Sequence, residues 1–140
     1  MHQLDDCIFC KIASGEAPAH KVFEDDQTLA FLDIFPSAPG HLLIITKEHF
    51  SDIFDATSEA LSRVAEVSVR LAKAIEEVLD PDGLGVYQLN KSVAGQTVFH
   101  YHMHLIPRHA GDGGNIHSKT PGDQKELAKL AESLRKALNT

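Results

Sequence analysis

Long apolar runs are missing from this sequence, and with them any segment able to cross a bilayer as a helix, which takes about 20 apolar residues. A basic surplus is missing too: 13 lysines and arginines stand against 20 aspartates and glutamates, a formal net charge of −7. Such a surface does not favour DNA or RNA, whose phosphates demand a basic face. A single nucleotide is not excluded, since one pocket needs only a few local donors. The opening residues Met1–Asp6 lack the basic and apolar regions of a secretory signal, so the expected location is cytoplasmic, with no membrane partner. Cysteine is scarce, with only Cys7 and Cys10 in a C-x-x-C spacing. In a reducing compartment that spacing points to zinc or redox chemistry rather than a structural disulfide. No repeat, low-complexity tract or linker divides the 140 residues, so one domain over 1–140 is expected.

What is abundant is histidine: nine residues, three of them within five positions at His100, His102 and His104. Side chains of an extended chain alternate faces, so these three should share one side, with Tyr101, Met103 and Leu105 on the other. Neighbours are then ~6.6 Å apart and the outer pair ~13 Å. That suits a row of imidazoles along an extended substrate better than a three-histidine metal cage. An imidazole that donates its Nδ1 proton to a carbonyl keeps Nε2 as a free lone pair, able to attack phosphorus. Its neighbours can hydrogen-bond the phosphate oxygens. Gly95-Gln96-Thr97 leads directly into the row as a loop able to present donors to phosphate. Isolated histidines such as His20, His109 and His117 read as polar surface residues.

The remaining elements follow from periodicity and breakers. Residues 7–13 read as a short helical turn, ended by Gly15 and Pro18. Val22-Phe23 and Thr28–Leu32 read as a hairpin, and His41–Ile45 as a buried strand. Residues 58–79 carry Leu61, Val64, Leu71 and Ile75 at helical spacing, and the apolar arc is wide enough to meet a larger core or a partner subunit. Val86–Leu89 and Val98–Ile106 read as further strands, 110–122 as a Gly- and Asp-rich loop, and 123–138 as a second amphipathic helix. The sum is an α+β fold on a five-stranded antiparallel sheet, with one long central helix and a C-terminal helix.

The stretch from Gly95 to Arg108, with its His-x-His-x-His followed by apolar residues, resembles the histidine-triad (HIT) family of nucleotide hydrolases and transferases. Cys7–Ile12, Phe23–Asp26, Ala30–Asp33 and Pro39–His41 match in order, so the resemblance spans residues 7–109. It implies a homodimer, a purine nucleotide substrate and no organic cofactor. It also implies that His102 is the nucleophile, oriented by the backbone carbonyl of His100, with His104 and His41 assisting at the phosphate or leaving group. Gln96 and Thr97, with Gly95 and Asn90 nearby, would hold phosphate oxygens. Asp33 would bind the ribose hydroxyls, and Ile8, Phe9, Ile12, Phe31 and Ile34 would form the base slot. Without the resemblance, Asp33 is a turn residue before Pro36, and Phe31 and Ile12 are core.

A zinc-containing, prokaryotic-type subset of the family carries C-x-x-C, a histidine after the third strand and the first triad histidine. Here that set is Cys7, Cys10, His49 and His100. Two thiolates and two imidazoles make a closed tetrahedral site, which is structural rather than catalytic. A redox pair and two unrelated buried thiols are the competing readings of the cysteines. The expected activity is hydrolysis through a nucleotidyl-histidine intermediate. Purine nucleoside phosphoramidates, adenylylated amines and dinucleoside polyphosphates all remain open as substrates. The rivals are a nucleotide-binding adaptor with little turnover and a zinc hydrolase with its metal on His100 and His102.

Overall fold

Runs rich in β-branched and aromatic residues alternate with two long amphipathic segments. The computed structural model, which describes residues 4–139, turns these into five strands and three α-helices, with one 3-10 turn at Ser92–Ala94. Residues 1–3 of the segment expected to lack a secretory signal, and residue 140, lie outside the described residues. In chain order the elements are α1 (Ile8–Ser14), β1 (Lys21–Glu24), β2 (Thr28–Leu32), β3 (Leu42–Thr46), α2 (Ser58–Leu79), β4 (Gly83–Tyr87), β5 (His102–Arg108) and α3 (Gln124–Leu138). The strands form one antiparallel sheet, ordered β1-β2-β3-β5-β4. The α+β expectation holds, with one refinement: β5 lies between β3 and β4, so β3 and β4, consecutive in the chain, are not neighbours in the sheet.

The long helix has the expected bounds, and its ends explain why. Thr57 stays extended and its side chain accepts from the Ala60 amide, while Asp80 turns left-handed (φ 46°) and Pro81 follows. Its stripe Val64, Val67, Leu71, Ala74 and Ile75 is buried against the sheet. The C-terminal helix starts one residue later than expected, because Asp123 is its cap and accepts from the Lys125 and Glu126 amides.

Two strand readings are corrected. β4 runs over Gly83–Tyr87 rather than Val86–Leu89, because its partner continues to Arg108 and pairs back to Gly83. More consequentially, the strand expected over 98–106 begins only at His102. Residues 98–100 bend past the end of β3, held where the Tyr101 amide donates to the Phe50 carbonyl at 2.7 Å and His100 Nε2 donates to the Thr46 carbonyl at 2.6 Å. His100 therefore leaves the row that its spacing predicts.

Both faces of the sheet are covered, which is why all five residues of β2 and of β3 are buried. On one face Ala30, Leu32, Leu42, Ile44 and Leu105 pack with Tyr101 and Met103 against α2 and α3. On the other, Leu29, Phe31, Leu43 and Ile45 pack with Phe9 and Ile12 of α1. Register then places the remaining histidines on this second face, since Ile45 pairs with His102 and Leu43 with His104.

Candidate active site

The α1 face of the sheet ends in a cavity of about 510 Å³, within the usual range for a small-molecule site. Its apolar part is lined by Ile8, Phe9, Ile12, Phe31, Leu43 and Val98. Its polar end holds Asp33, Thr97, His102, His104 and His117. Phe9 joins the two parts. Its ring meets Phe31 edge-on at 5.6 Å between centroids and His102 at 5.1 Å.

Hydrogen-bond partners fix how each imidazole presents itself. His102 Nδ1 donates to the His100 carbonyl at 2.7 Å, which leaves Nε2 as a lone pair. His104 lies beside it, ring centroids 5.0 Å apart. His41, just ahead of β3, joins the same cluster through a 2.9 Å contact between its Nε2 and His104 Nδ1. Burial pushes the His41 imidazole down to about 4 and that of His104 to about 3, and it lowers His102 as well. Burial also raises the Asp33 carboxyl. The three rings are thus neutral at physiological pH, as an attacking nitrogen requires. kcat/KM should accordingly hold as pH falls through 6.5, the ordinary imidazole value, and decline only at lower pH. An acid limb centred at 6.5 would mean that an ordinary, solvated imidazole controls the site.

The expected residues divide into those the fold gathers and those it does not. Ile8, Phe9, Ile12, Phe31, Asp33, Ile34, Thr97, His102 and His104 line the cavity, with His41 directly behind His104. Gln96 and Asn90 do not. The Gln96 carbonyl oxygen accepts from the Lys91 amide, and its nitrogen donates to the Ser51 and Val98 carbonyls. Buried and satisfied on all these partners, it braces the loop instead of offering donors to phosphate. Asn90 likewise bonds Gln88 and the Ile53 amide. Gly95 serves the turn, with φ 104°, a conformation glycine takes without strain. The carbonyl of Gly95 accepts from His117 Nε2 at 2.9 Å. His117, read from sequence as a surface residue, lines the cavity with Ser118 and Lys119. No periodicity marks these three; only the folded loop brings them back to the site.

His100, detached from the row, belongs to a second cluster. Its Nδ1 lies 3.3 Å from Cys7 Sγ, 3.5 Å from Cys10 Sγ and 3.2 Å from His49 Nδ1, while Cys10 Sγ lies 3.3 Å from His49 Nδ1. Ligands at zinc bond lengths of about 2.0–2.3 Å around a tetrahedral centre are themselves ~3.3–3.8 Å apart. The four groups therefore fit such an ion. Because His100 Nε2 must hold the proton donated to Thr46, Nδ1 is bare and aimed inward, the outer-shell arrangement that metal-bound imidazoles use. Burial pushes the Cys10 thiol up to about 11, a cost that a bound cation would remove by holding the thiolate. The same geometry argues against a metal shared by His100 and His102, since His102 Nδ1 is engaged with a carbonyl and the His100 ring faces the sulfurs.

Comparison with known proteins agrees with this architecture. The chain is 41% identical over 142 residues to the Protein hit of Bacillus subtilis, covering 99% of this chain and 98% of that one. It is 40% identical over 126 residues to a Saccharomyces cerevisiae protein named adenosine 5′-monophosphoramidase HNT1, covering 90% of this chain and 77% of that one. Among solved structures, a Zn-bound histidine triad family protein from Mycobacterium smegmatis superposes with a TM-score of 0.85 at 38% identity, over 96% of this chain and 94% of that one. With the HIT domain matched over residues 14–111 and a curated relative this similar along its whole length, the chain belongs to the HIT family.

Proposed function

We propose that the protein hydrolyses nucleoside 5′-phosphoryl compounds by way of a nucleotide bonded transiently to His102. The observation that carries this reading is the bare His102 Nε2, buried and neutral, at the polar end of a cavity whose other end is apolar. Its lone pair attacks the phosphorus attached to the nucleoside, and the bond from phosphorus to the leaving amine breaks. That amine takes its proton from solvent. His102 is then an imidazolium bearing the nucleotide on Nε2, with its Nδ1–H still held by the His100 carbonyl. His104 donates to a phosphate oxygen. Water next attacks the phosphorus, the bond to Nε2 breaks, and the water proton leaves to solvent.

Phe9, Ile12 and Phe31 would grip a purine, and Asp33 would take the ribose hydroxyls, as their positions along the cavity allow. The relative named for monophosphoramidase activity favours phosphoramidates and adenylylated amines over dinucleoside polyphosphates. A panel of adenosine phosphoramidates and diadenosine polyphosphates, with product analysis, tests the choice. Higher kcat/KM on the phosphoramidates is expected; the reverse order would reassign the substrate, and no turnover on either would favour a binding-only adaptor.

Cys7, Cys10, His49 and His100 would hold structural zinc, as their spacing and the zinc-bound relative support. When bound, the ion supplies a cross-link between α1, the segment after β3 and the segment before β5, and no reaction step. The whole chain would act as one domain in the cytoplasm; among the described residues no helix is long and apolar enough to cross a membrane. A homodimer would cover the free edge of β4, where Val86 is 55% exposed, and Val69 of α2, which is 54% exposed. Sedimentation should give twice the 15.3 kDa chain mass; a monomer would remove this pairing.

A further inference from the structure

Ser37 lies in the loop between β2 and β3 and does not line the cavity. Its backbone amide nevertheless donates to His41 Nδ1 at 3.0 Å. A backbone N–H can only donate, so His41 Nδ1 must be the bare nitrogen of its ring. A neutral His41 then carries its proton on Nε2. That nitrogen is 2.9 Å from His104 Nδ1, so His41 donates and His104 accepts. His104 in turn must carry its own proton on Nε2, the nitrogen left for the cavity. Both rings are buried, His41 1% and His104 4% exposed, so bulk solvent does not compete for these bonds.

We propose that Ser37 is a positioning residue, whose backbone N–H sets the tautomers of His41 and His104 and so aims a proton donor at the phosphate beside the bare Nε2 of His102. The inference rests on the reading of His102 as nucleophile for its consequence, though not for the tautomers themselves. Asp33 is a further polar group at this pair, with Oδ2 3.6 Å from His41 Nε2, and the rings of His102 and His117 flank His104 at 5.0 and 5.9 Å between centroids. Asp33 favours a proton on the same nitrogen but lies beyond hydrogen-bond length, so it cannot replace the amide. Without the Ser37 N–H, a proton on His41 Nδ1 becomes allowed. His41 would then accept from His104 Nδ1–H, and His104 would turn a lone pair toward the anionic phosphate. Adjacent Nε2 atoms would both be acceptors, with no donor for the developing charge.

The same residue reaches the loop that carries His117. Ser37 Oγ donates to the Ile116 carbonyl at 2.6 Å, and the next residue along, His117, donates to the Gly95 carbonyl at 2.9 Å. The side chain of Ser37 thus holds that strap while its main chain sets the tautomers, and two substitutions separate the roles. Ser37→Ala removes the hydroxyl and keeps the N–H; Ser37→Pro removes both.

Imidazole nitrogen NMR of the isotope-labelled full-length protein reads the tautomers without any substrate. His41 and His104 are expected to carry their protons on Nε2, and His102 on Nδ1. A proton on Nδ1 of either His41 or His104 would overturn the proposal, whatever the activity. In Ser37→Pro the His41 and His104 pattern is expected to reverse and kcat to fall by about 100-fold, the usual scale of one lost oxyanion donor. Ser37→Ala should keep the wild-type pattern and raise KM through the loosened strap. Reversal in Ser37→Ala, or an unchanged pattern and kcat in Ser37→Pro, would contradict the proposal. Should Ser37→Pro fail to fold, the wild-type spectrum still decides it. Failure of the nucleophile reading would leave these spectra unaltered, so the two ideas fail separately.

Discussion

Replacing His102 with alanine is expected to lower turnover by about 10,000-fold or more while nucleotide binding persists. Little else at the site can take its place. His41 Nδ1 is held by the Ser37 amide, and His104 Nδ1 faces His41. His100 is turned into the sulfur cluster. The apolar slot does not depend on the missing ring: Phe9 would lose one edge contact and keep its packing on Phe31. Affinity for a non-hydrolysable nucleotide, measured by calorimetry, should therefore change far less than kcat. Near-wild-type turnover in the variant would remove His102 as the nucleophile, and loss of binding in step with turnover would recast it as a binding residue.

The second large effect is expected at the metal cluster. If Cys7, Cys10, His49 and His100 hold zinc as proposed, removing it with a strong chelator, or substituting Cys10→Ser, should lower Tm by on the order of 10 °C. A metal held at about 1,000 times its dissociation constant contributes about 4 kcal/mol, and a degree of Tm is worth a fraction of that in a chain this size. The cause is local. Cys7 caps α1 and Cys10 lies within it, while His49 and His100 reach the same point from the segments after β3 and before β5. With the cross-link gone, two imidazoles and two thiols would face each other in a buried space, where burial already raises the Cys10 thiol. Phe9 sits between this cluster and the site, 5.9 Å from His100 and 5.1 Å from His102 between ring centroids. KM should thus rise as α1 loosens, before kcat changes at temperatures where the fold survives. Immediate loss of kcat on chelation, with Tm unmoved, would show a catalytic metal instead.

How much of this was legible in the sequence depends on the range of the forces involved. Period-two spacing put His102 and His104 on one face and Met103 and Leu105 in the core, and the structure agrees because strand pairing with β3 begins at His102. The same spacing misplaced His100, since what draws it away lies far off along the chain: Thr46, His49 and the two cysteines. Its part in the metal set came from family resemblance, not from periodicity. Gln96 looked like a phosphate donor because an amide in a Gly-bearing loop can be, and Asn90 was placed nearby by the family resemblance; whether those amides face outward is decided by the backbone of residues 51 and 53, which no local pattern reveals. His117 was missed for the same reason, as a polar residue in an irregular loop tied to Gly95, 22 positions earlier. The long helix was legible to the residue because both its caps are local, Thr57 at one end and Asp80 before Pro81 at the other.

Two in-line displacements at one phosphorus restore its configuration, whereas a single attack by water inverts it. Hydrolysis of a phosphorus-chiral nucleoside phosphorothioate in isotope-labelled water, with the product configuration assigned, therefore asks whether His102 is ever bonded to the nucleotide. Overall retention is expected. Inversion would mean that water attacks the substrate itself, and the imidazole at position 102 would be left as a base or a binding group.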